Sequence, residues 1–317
     1  MSKLHHQILL SLGLFCCIFT ATATAALADS NDPLPPPSST AELLPAVQID
    51  ELSLSGGVDA AMSVDDEGCG GPIYAATDEG FNAEFEARLI VLINREREQA
   101  GLPPLKLNDD LSLAARYHAH DMAADRYFMH NSHDRVNDEL VEACLWHVRI
   151  RTYLPGPSRL GENIARNYPT PEEVMAAWMD SEGHRDNILG DYREVGIGYY
   201  NQHWVQNFAT RREVYPVIVN DEASSTEDSH VQVYAYGEWD EVRFRNNSGE
   251  WSDWHTFSNR LQWEIPRTAG LHEVEAEMRA GSDDTTGSDL IEYSAPAHST
   301  PDQSEQGVTY YLPLVNR

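Results

Sequence analysis

The sequence predicts two folded units in series, an α/β/α sandwich over residues 81–212 and an all-β sandwich over residues 213–296. Three observations lead there. Between Phe81 and Ser181 apolar residues recur at helical spacing in three separate stretches. Glu194 to Tyr200 and His203 to Thr210 then alternate apolar and polar residues on either side of Asn201-Gln202, as a hairpin does. From Glu213 the chain changes to short runs rich in Val, Tyr and Trp separated by polar turns.

At the N-terminus, Ile8 to Phe19 is apolar but too short to span a bilayer as a helix. Lys3, His5 and His6 precede it and the small residues Ala21 to Ala28 follow, the pattern of a secretory signal peptide (1–28) cut after Ala26-Leu27-Ala28. The expected location is therefore extracellular, with no membrane span. Phe15 stands before Cys16 where a lipoprotein signal needs a small residue, which argues against a lipid anchor. Residues 29–80 carry Pro33, Pro35, Pro36, Pro37, Gly56-Gly57 and Asp65-Asp66-Glu67-Gly68, with 11 acids and no base. Such composition buries too little apolar area to offset its ordering entropy, so a disordered acidic linker is expected.

Helices come next. Phe81, Phe85, Leu89, Leu92 and Ile93 share one face, and Gly101-Leu102-Pro103-Pro104 ends the first. Asn108 caps the second, whose buried stripe is Leu111, Ala115, His118 and Met122. Thr170-Pro171-Glu172-Glu173 joins a capping box to a proline at the first helical position and starts the third, which runs to about Ser181. Beyond Glu213 the expected strands are Val214–Val219, Val231–Tyr236, Val242–Arg245, Trp254–Phe257, Leu261–Ile265, His272–Met278 and Leu290–Tyr293. The tail, 297–317, ends in an apolar run, Tyr310 to Val315, with no assigned place.

Charge narrows the partners. The net charge is −29, and loss of Lys3 would make it −30 with Lys106 the only lysine left. Residues 81–212 are nearly balanced, 20 acids against 15 bases, whereas residues 213–296 carry 18 against 5. Nucleic acid and anionic membrane surfaces need Lys and Arg clusters, and this chain lacks them. Removal of Cys16 and Cys17 with the signal leaves Cys69 and Cys144 as one possible pair. In an oxidising compartment they could bridge, adding roughly 4 kcal/mol in the chain-entropy model; two free thiols are the alternative.

Tyr127-Phe128-Met129-His130, then Gly161-Glu162-Asn163-Ile164-Ala165, then Trp178 to Leu189 with Val195-Gly196-Ile197-Gly198 beyond, occur in an order that resembles the CAP superfamily. These are the cysteine-rich secretory, antigen 5 and pathogenesis-related proteins, also called SCP-domain proteins, here in bacterial form. The resemblance spans about Phe81 to Phe208. It implies an α/β/α sandwich enclosing a cleft lined by two histidines and two glutamates, in some members with zinc. Carried over, the histidines fall on His130 and His184 and the first glutamate on Glu162. At the fourth position this chain has Ser181. Glu182 lies one residue on, about 100° around a helix, and replaces it only if the helix has already ended.

The candidate cleft is thus His130, Glu162, Asn163, Ser181, Glu182 and His184, with His130, Glu162 and His184 as possible zinc ligands and His133 and His203 in reserve. Two imidazoles, a carboxylate and an open position would suit zinc and could polarise a water. The ligands lie 32 and 22 residues apart, so local spacing adds nothing to the metal reading. The same residues could instead form a buried hydrogen-bonded network. Ser181 beside His184 admits a nucleophile reading but also reads as a cap or turn. Asn163 is expected to hold a Gly-Glu-Asn turn, and His118 to be a satisfied core histidine. Three functions stay open: a cleft that binds a metal ion or a small polar or lipid ligand, a zinc hydrolase or peptidase, and an interaction protein without cleft chemistry. Partners would be an extracellular small molecule, lipid, glycan or protein.

The second unit has its own resemblance. Val242 to Gly249 with Trp251-Ser252-Asp253-Trp254, then Trp263, Gly270-Leu271-His272-Glu273-Val274 and Ser288 to Ile291, is similar to the immunoglobulin-like modules of secreted bacterial proteins, which imply a spacer or presenting role. Trp251 or Trp254 could stack on a sugar or pack within the fold. Asn246-Asn247-Ser248 is formally a glycosylation sequon and equally a turn.

Overall fold

The computed structural model describes residues 41–50 and 69–295. In chain order the first lobe contains β1 (Glu42–Leu43), β2 (Val47–Asp50), α1 (Ala83–Gln99), β3 (Lys106–Leu107), α2 (Asp109–Ala124), β4 (Ser132–Val136), β5 (Glu139–Cys144), α3 (Trp146–Tyr153), β6 (Arg159–Arg166), α4 (Pro171–Asp180), α5 (Glu182–Ile188), β7 (Glu194–Tyr200) and β8 (His203–Thr210). Six strands form one sheet in the order β1-β6-β8-β7-β3, with β2 also on the outer edge of β6. The first lobe is an α/β/α arrangement because both sheet faces are apolar. Leu89, Leu92, Ile93, Val174 and Trp178 from α1 and α4 cover one face, and Ala115, Ala119 and Met122 from α2 cover the other.

Capping fixes the helix starts. Asn82 Oδ1 accepts from the Phe85 amide at 3.1 Å, Asn108 Oδ1 from Leu111 at 3.0 Å, and Thr170 Oγ1 from Glu173 at 3.2 Å, each satisfying an otherwise orphaned first-turn donor. Two glycines on β7 set the height of α2 above the sheet. A Cβ on Gly196 would lie 2.1 Å from the Leu111 backbone and one on Gly198 2.2 Å from that of Ala115. Only glycine admits that approach.

The second lobe contains β9 (Val217–Val219), β10 (Ser225–Thr226), β11 (His230–Ala235), β12 (Glu241–Asn246), β13 (His255–Thr256), β14 (Arg260–Glu264), β15 (Gly270–Ala280) and β16 (Asp283–Tyr293). They form a five-stranded sheet, β10-β16-β15-β12-β13, and a three-stranded sheet, β14-β11-β9. Val219, Val231 and Val233 of the smaller sheet share one buried cluster with Phe244, Val274 and Ile291 of the larger. Polar contacts join the lobes: Lys106 Nζ pairs with Glu222 at 3.0 Å and with Asp289, Asn94 Nδ2 donates to Asp221 O at 3.0 Å, and the Tyr236 hydroxyl donates to Pro104 O at 2.7 Å. The turn that presents Glu222 is left-handed at three successive residues, Asn220, Asp221 and Glu222, with φ of 45°, 53° and 70°.

Several elements depart from the sequence reading. Residues 41–50, expected in a disordered linker, pair with β6 as β1 and β2. At the other end of that span Cys69 is disulfide-bonded to Cys144, with Cα atoms 5.0 Å apart. The signal segment 1–28, the middle of the linker and the tail 297–317 lie outside the described residues. Gly161-Glu162-Asn163 is not a turn but the middle of β6, buried from Leu160 to Ala165. A strand covered on both faces shows no alternation, and two polar residues in it mimic a turn. The hairpin β4–β5 and helix α3 were not expected. The first half of β16, Asp-Asp-Thr-Thr-Gly-Ser-Asp, has no apolar period and is a strand because β15 pairs with it along 11 residues.

Candidate functional site

Glu162 sits at the centre. Its side chain is wholly buried, between the α2 side of the sheet and α3, and Arg149, equally buried, forms an ion pair with Oε2. His130 Nδ1 lies 2.8 Å from Oε1. Asn207, on the neighbouring strand, donates to Oε2 at 3.0 Å with its amide oriented to accept from Ala115 N. Burial alone would raise the Glu162 pKa, but the Arg149 charge, with His118 and His130, overrides it and holds the carboxylate at about 2. Arg149 also donates to His130 O at 2.8 Å and Ser132 Oγ at 3.1 Å. It thereby pins the segment that delivers His130.

His184 approaches from the other face of β6. Its Nδ1 lies 2.8 Å from Ser181 Oγ, while Nε2 is buried without a hydrogen-bond partner. Burial pushes the His184 pKa down to about 4, against the opposing effect of the Leu44 backbone. Asn163 Nδ2 donates to His184 O at 3.2 Å and to Gln206 Oε1 at 3.0 Å. Asn187 Nδ2 donates to Asn163 Oδ1 at 2.9 Å and to Val47 O at 3.1 Å. Asn163 thus anchors α5 to the strand instead of shaping a turn.

Helix α4 ends at Asp180, Ser181 is the extended cap residue between the two helices, and α5 starts at Glu182. The break that Glu182 required is therefore present, yet Glu182 is exposed on the first turn of α5 and takes no part in the cleft. His133 Nδ1 bonds Asn131 O at 2.8 Å, outside the cluster. His203 pairs with Arg166 at the hairpin end, four ladder positions from Asn207, which pairs with Glu162. His118 is the satisfied core histidine, Nε2 3.0 Å from Met129 O.

Zinc would need donor atoms that these contacts already occupy. Both Glu162 oxygens are engaged, one by a guanidinium, and both His130 nitrogens are engaged, Nδ1 by Glu162 and Nε2 by Pro45 O at 2.8 Å. The Arg149 guanidinium already supplies the positive charge against Glu162. Among the described residues the group of three His, Asp, Glu or Cys side chains with ligand atoms within 4.8 Å of one another is Asp121, Asp125 and Asp134, not the cleft residues. As arranged, His130, Glu162 and His184 do not fit a tetrahedral site.

In the second lobe, Trp251 and Trp254 are covered by their own chain. Arg245 stands 4.4 Å from the Trp251 centroid, and Arg243 and Arg279 stand 4.5 Å and 3.8 Å from that of Trp254. Sugar stacking would have to displace these cation–π contacts. The sequon asparagine, Asn246, is committed as well, accepting from Trp263 Nε1 at 2.8 Å and donating to Glu264 O at 2.9 Å.

Residues 90–208 match the family model described as CAP, the cysteine-rich secretory protein family. This segment is a CAP domain. The Bacillus subtilis (strain 168) protein YkwD is 36% identical over 127 residues, 39% of this chain and 46% of YkwD. The membrane protein YlbC of the same strain is 33% identical over 129 residues, 40% of this chain and 34% of YlbC. The chain thus spans less than half the length of these curated relatives. A solved structure of an extracellular SCP-domain protein from Bacillus anthracis str. Ames aligns over 44% of this chain and 45% of that one, at 26% identity and a TM-score of 0.39. No helix among the described residues is long and apolar enough to cross a membrane.

Arg149, Asn187, Gln206, Asn207 and Pro45 take part in the cluster at the CAP-domain cleft and were not singled out by sequence reasoning. Arg149 had a readable signal: with Trp146, Ile150 and Tyr153 it occupies the i, i+3, i+4, i+7 stripe of α3 and so falls on the inward face. Asn187 and Pro45 carried none.

Proposed function

We propose that this chain is an extracellular protein whose CAP-domain cleft binds a ligand without turning it over, with the second lobe as an immunoglobulin-like spacer. The observation that carries the reading is where the carboxylate goes. Glu162 is spent on Arg149 and His130, so no acid orients His184, and the Ser181–His184 pair lacks the third member that a nucleophilic relay needs. What remains is a polar frame with one buried imidazole nitrogen, His184 Nε2, that has no hydrogen-bond partner, which favours recognition over turnover. Extracellular placement is supported by the signal-like N-terminus.

Incubation of the full chain with fluorescein-labelled casein, with and without added zinc chloride, tests this. No cleavage is expected, and calorimetry should show no stoichiometric zinc uptake. Cleavage that requires zinc, or that disappears in His184→Ala or Ser181→Ala, overturns the reading in favour of a hydrolase.

A further inference from the structure

The outer edge of β6 is covered by residues 42–50 in a way that differs from core packing. Pairing runs Glu42 to Arg166 and Leu43 to Ala165, then resumes at Val47 to Glu162 and continues to Asp50 with Arg159. Three residues, Leu44 to Ala46, therefore face only Ile164 and Asn163, a one-residue bulge beside the two cleft histidines. Pro45 occupies the bulge, where its missing N–H leaves no donor orphaned. Its carbonyl is turned out to His130 Nε2 at 2.8 Å. Asn187 holds the carbonyl two residues on, that of Val47, and Ala46 lies beside Gly183, where a Cβ would be 3.7 Å away.

These contacts read main chain. His130 and Asn187 address carbonyls, and the Leu44 backbone bears on His184, whose Nε2 is buried without a hydrogen-bond partner. Side-chain selectivity sits at the flanks. Leu43, Leu44 and Ile49 pack against three separate apolar clusters, and Arg166 and Arg159, at the two ends of β6, pair with Glu42 and Asp50. The pattern selected is an extended acid-Leu-Leu-Pro-Ala-Val-x-Ile-acid segment. Yet no residue from Ala41 to Asp50 is buried, whereas β6 beneath is buried from Leu160 to Ala165. The exposed end pairs add little hold.

We propose that the β6 edge of the CAP domain is a groove that takes an extended segment of another polypeptide by strand addition, and that residues 42–50 are its tethered, displaceable occupant. This rests on the reading of the cleft as a non-catalytic binding site. Main-chain bonds along the edge supply affinity, and the alternate side-chain pockets and terminal arginines supply sequence preference. The tether raises the effective concentration of the internal segment, so a free peptide meets a competed site.

The test uses the full chain and a fluorescein-labelled synthetic peptide with the sequence of Glu42–Asp50, read by fluorescence anisotropy. In Leu44→Asp, Ile49→Asp the internal segment loses its apolar seats. This variant should bind the peptide at least tenfold more tightly than wild type, and a scrambled peptide should not bind. Adding His130→Ala to the same background should weaken binding at least tenfold. If the Asp pair does not fold, Leu44→Ala, Ile49→Ala gives the same comparison. Equal binding by wild type and undocked variants, or none by either, overturns the proposal. So does a wild-type dimer in light scattering that disappears in the undocked variant, which would make a second copy the occupant. Peptide that binds and is then cleaved leaves strand addition standing and refutes the non-catalytic reading instead.

Discussion

Replacing Glu162 by Gln keeps the shape of the side chain and removes its charge, leaving Arg149 buried without its anion. Two estimates of the cost agree. Lowering the Glu162 pKa from 4.5 to about 2 corresponds to about 3 kcal/mol of native-state preference for the ionised form. Breaking a buried ion pair from one side costs about 3–5 kcal/mol because a charge is stranded. Since Glu162 and Arg149 are both fully buried, no allowance for solvent screening is due. The sign with pH is fixed as well. A carboxylate with a depressed native pKa contributes stability above its unfolded value of 4.5, and the contribution is lost as pH falls from there towards 2. Urea unfolding of Glu162→Gln at pH 7 should therefore show a loss of about 3 kcal/mol, and the variant should lack that part of the acid-induced decline. The double variant Glu162→Leu, Arg149→Met, which strands no charge, should be less damaged than Glu162→Gln alone. A Glu162→Gln protein within about 1 kcal/mol of wild type, with an unchanged acid limb, would show that Arg149 finds its compensation elsewhere.

His184 gives a second pH signature of opposite origin. Its pKa is depressed to about 4 by burial, so between pH 6.5 and 4 the unfolded chain binds a proton that the native one refuses. Stability then falls by at most about 3 kcal/mol across that window, and a plot of Tm against pH should be flatter there for His184→Gln. Lys106→Met removes the cation between Glu222 and Asp289 at the junction of the lobes. A loss of about 2 kcal/mol is expected, read as a lower urea midpoint, and an unchanged midpoint would refute the importance of that junction. Cys69→Ser with Cys144→Ser opens a loop closed across a sequence separation of 75. That should cost about 4 kcal/mol in the chain-entropy model, measured against wild type under non-reducing conditions.

How much the sequence determined by itself follows from the range of the forces involved. The starts of α1, α2 and α4 are local events, settled by Asn82, Asn108 and Thr170 with amides three residues on; the caps Asn108 and Thr170 were read without any tertiary knowledge, whereas Asn82 was not singled out. The β7–β8 hairpin was marked by its Asn201-Gln202 turn although both strands are covered on both faces, and in most strands of the second lobe one face is buried and alternation survives. His130, Glu162 and His184 were legible only through an ordered resemblance, since nothing in their spacing brings them together. The tertiary structure decided the rest. β6 is buried on both faces and so carries no period, and its Glu162 is tolerated inside only because Arg149 arrives from a helix 13 residues earlier in the chain. Residues 42–50 have the composition of a linker, and they are a strand because β6 offers an open edge, bulged at Pro45 to meet His130. Local sequence encodes caps and faces, whereas a buried charge and an edge strand acquire their partners only when distant segments meet, and pairing then overrides local propensity.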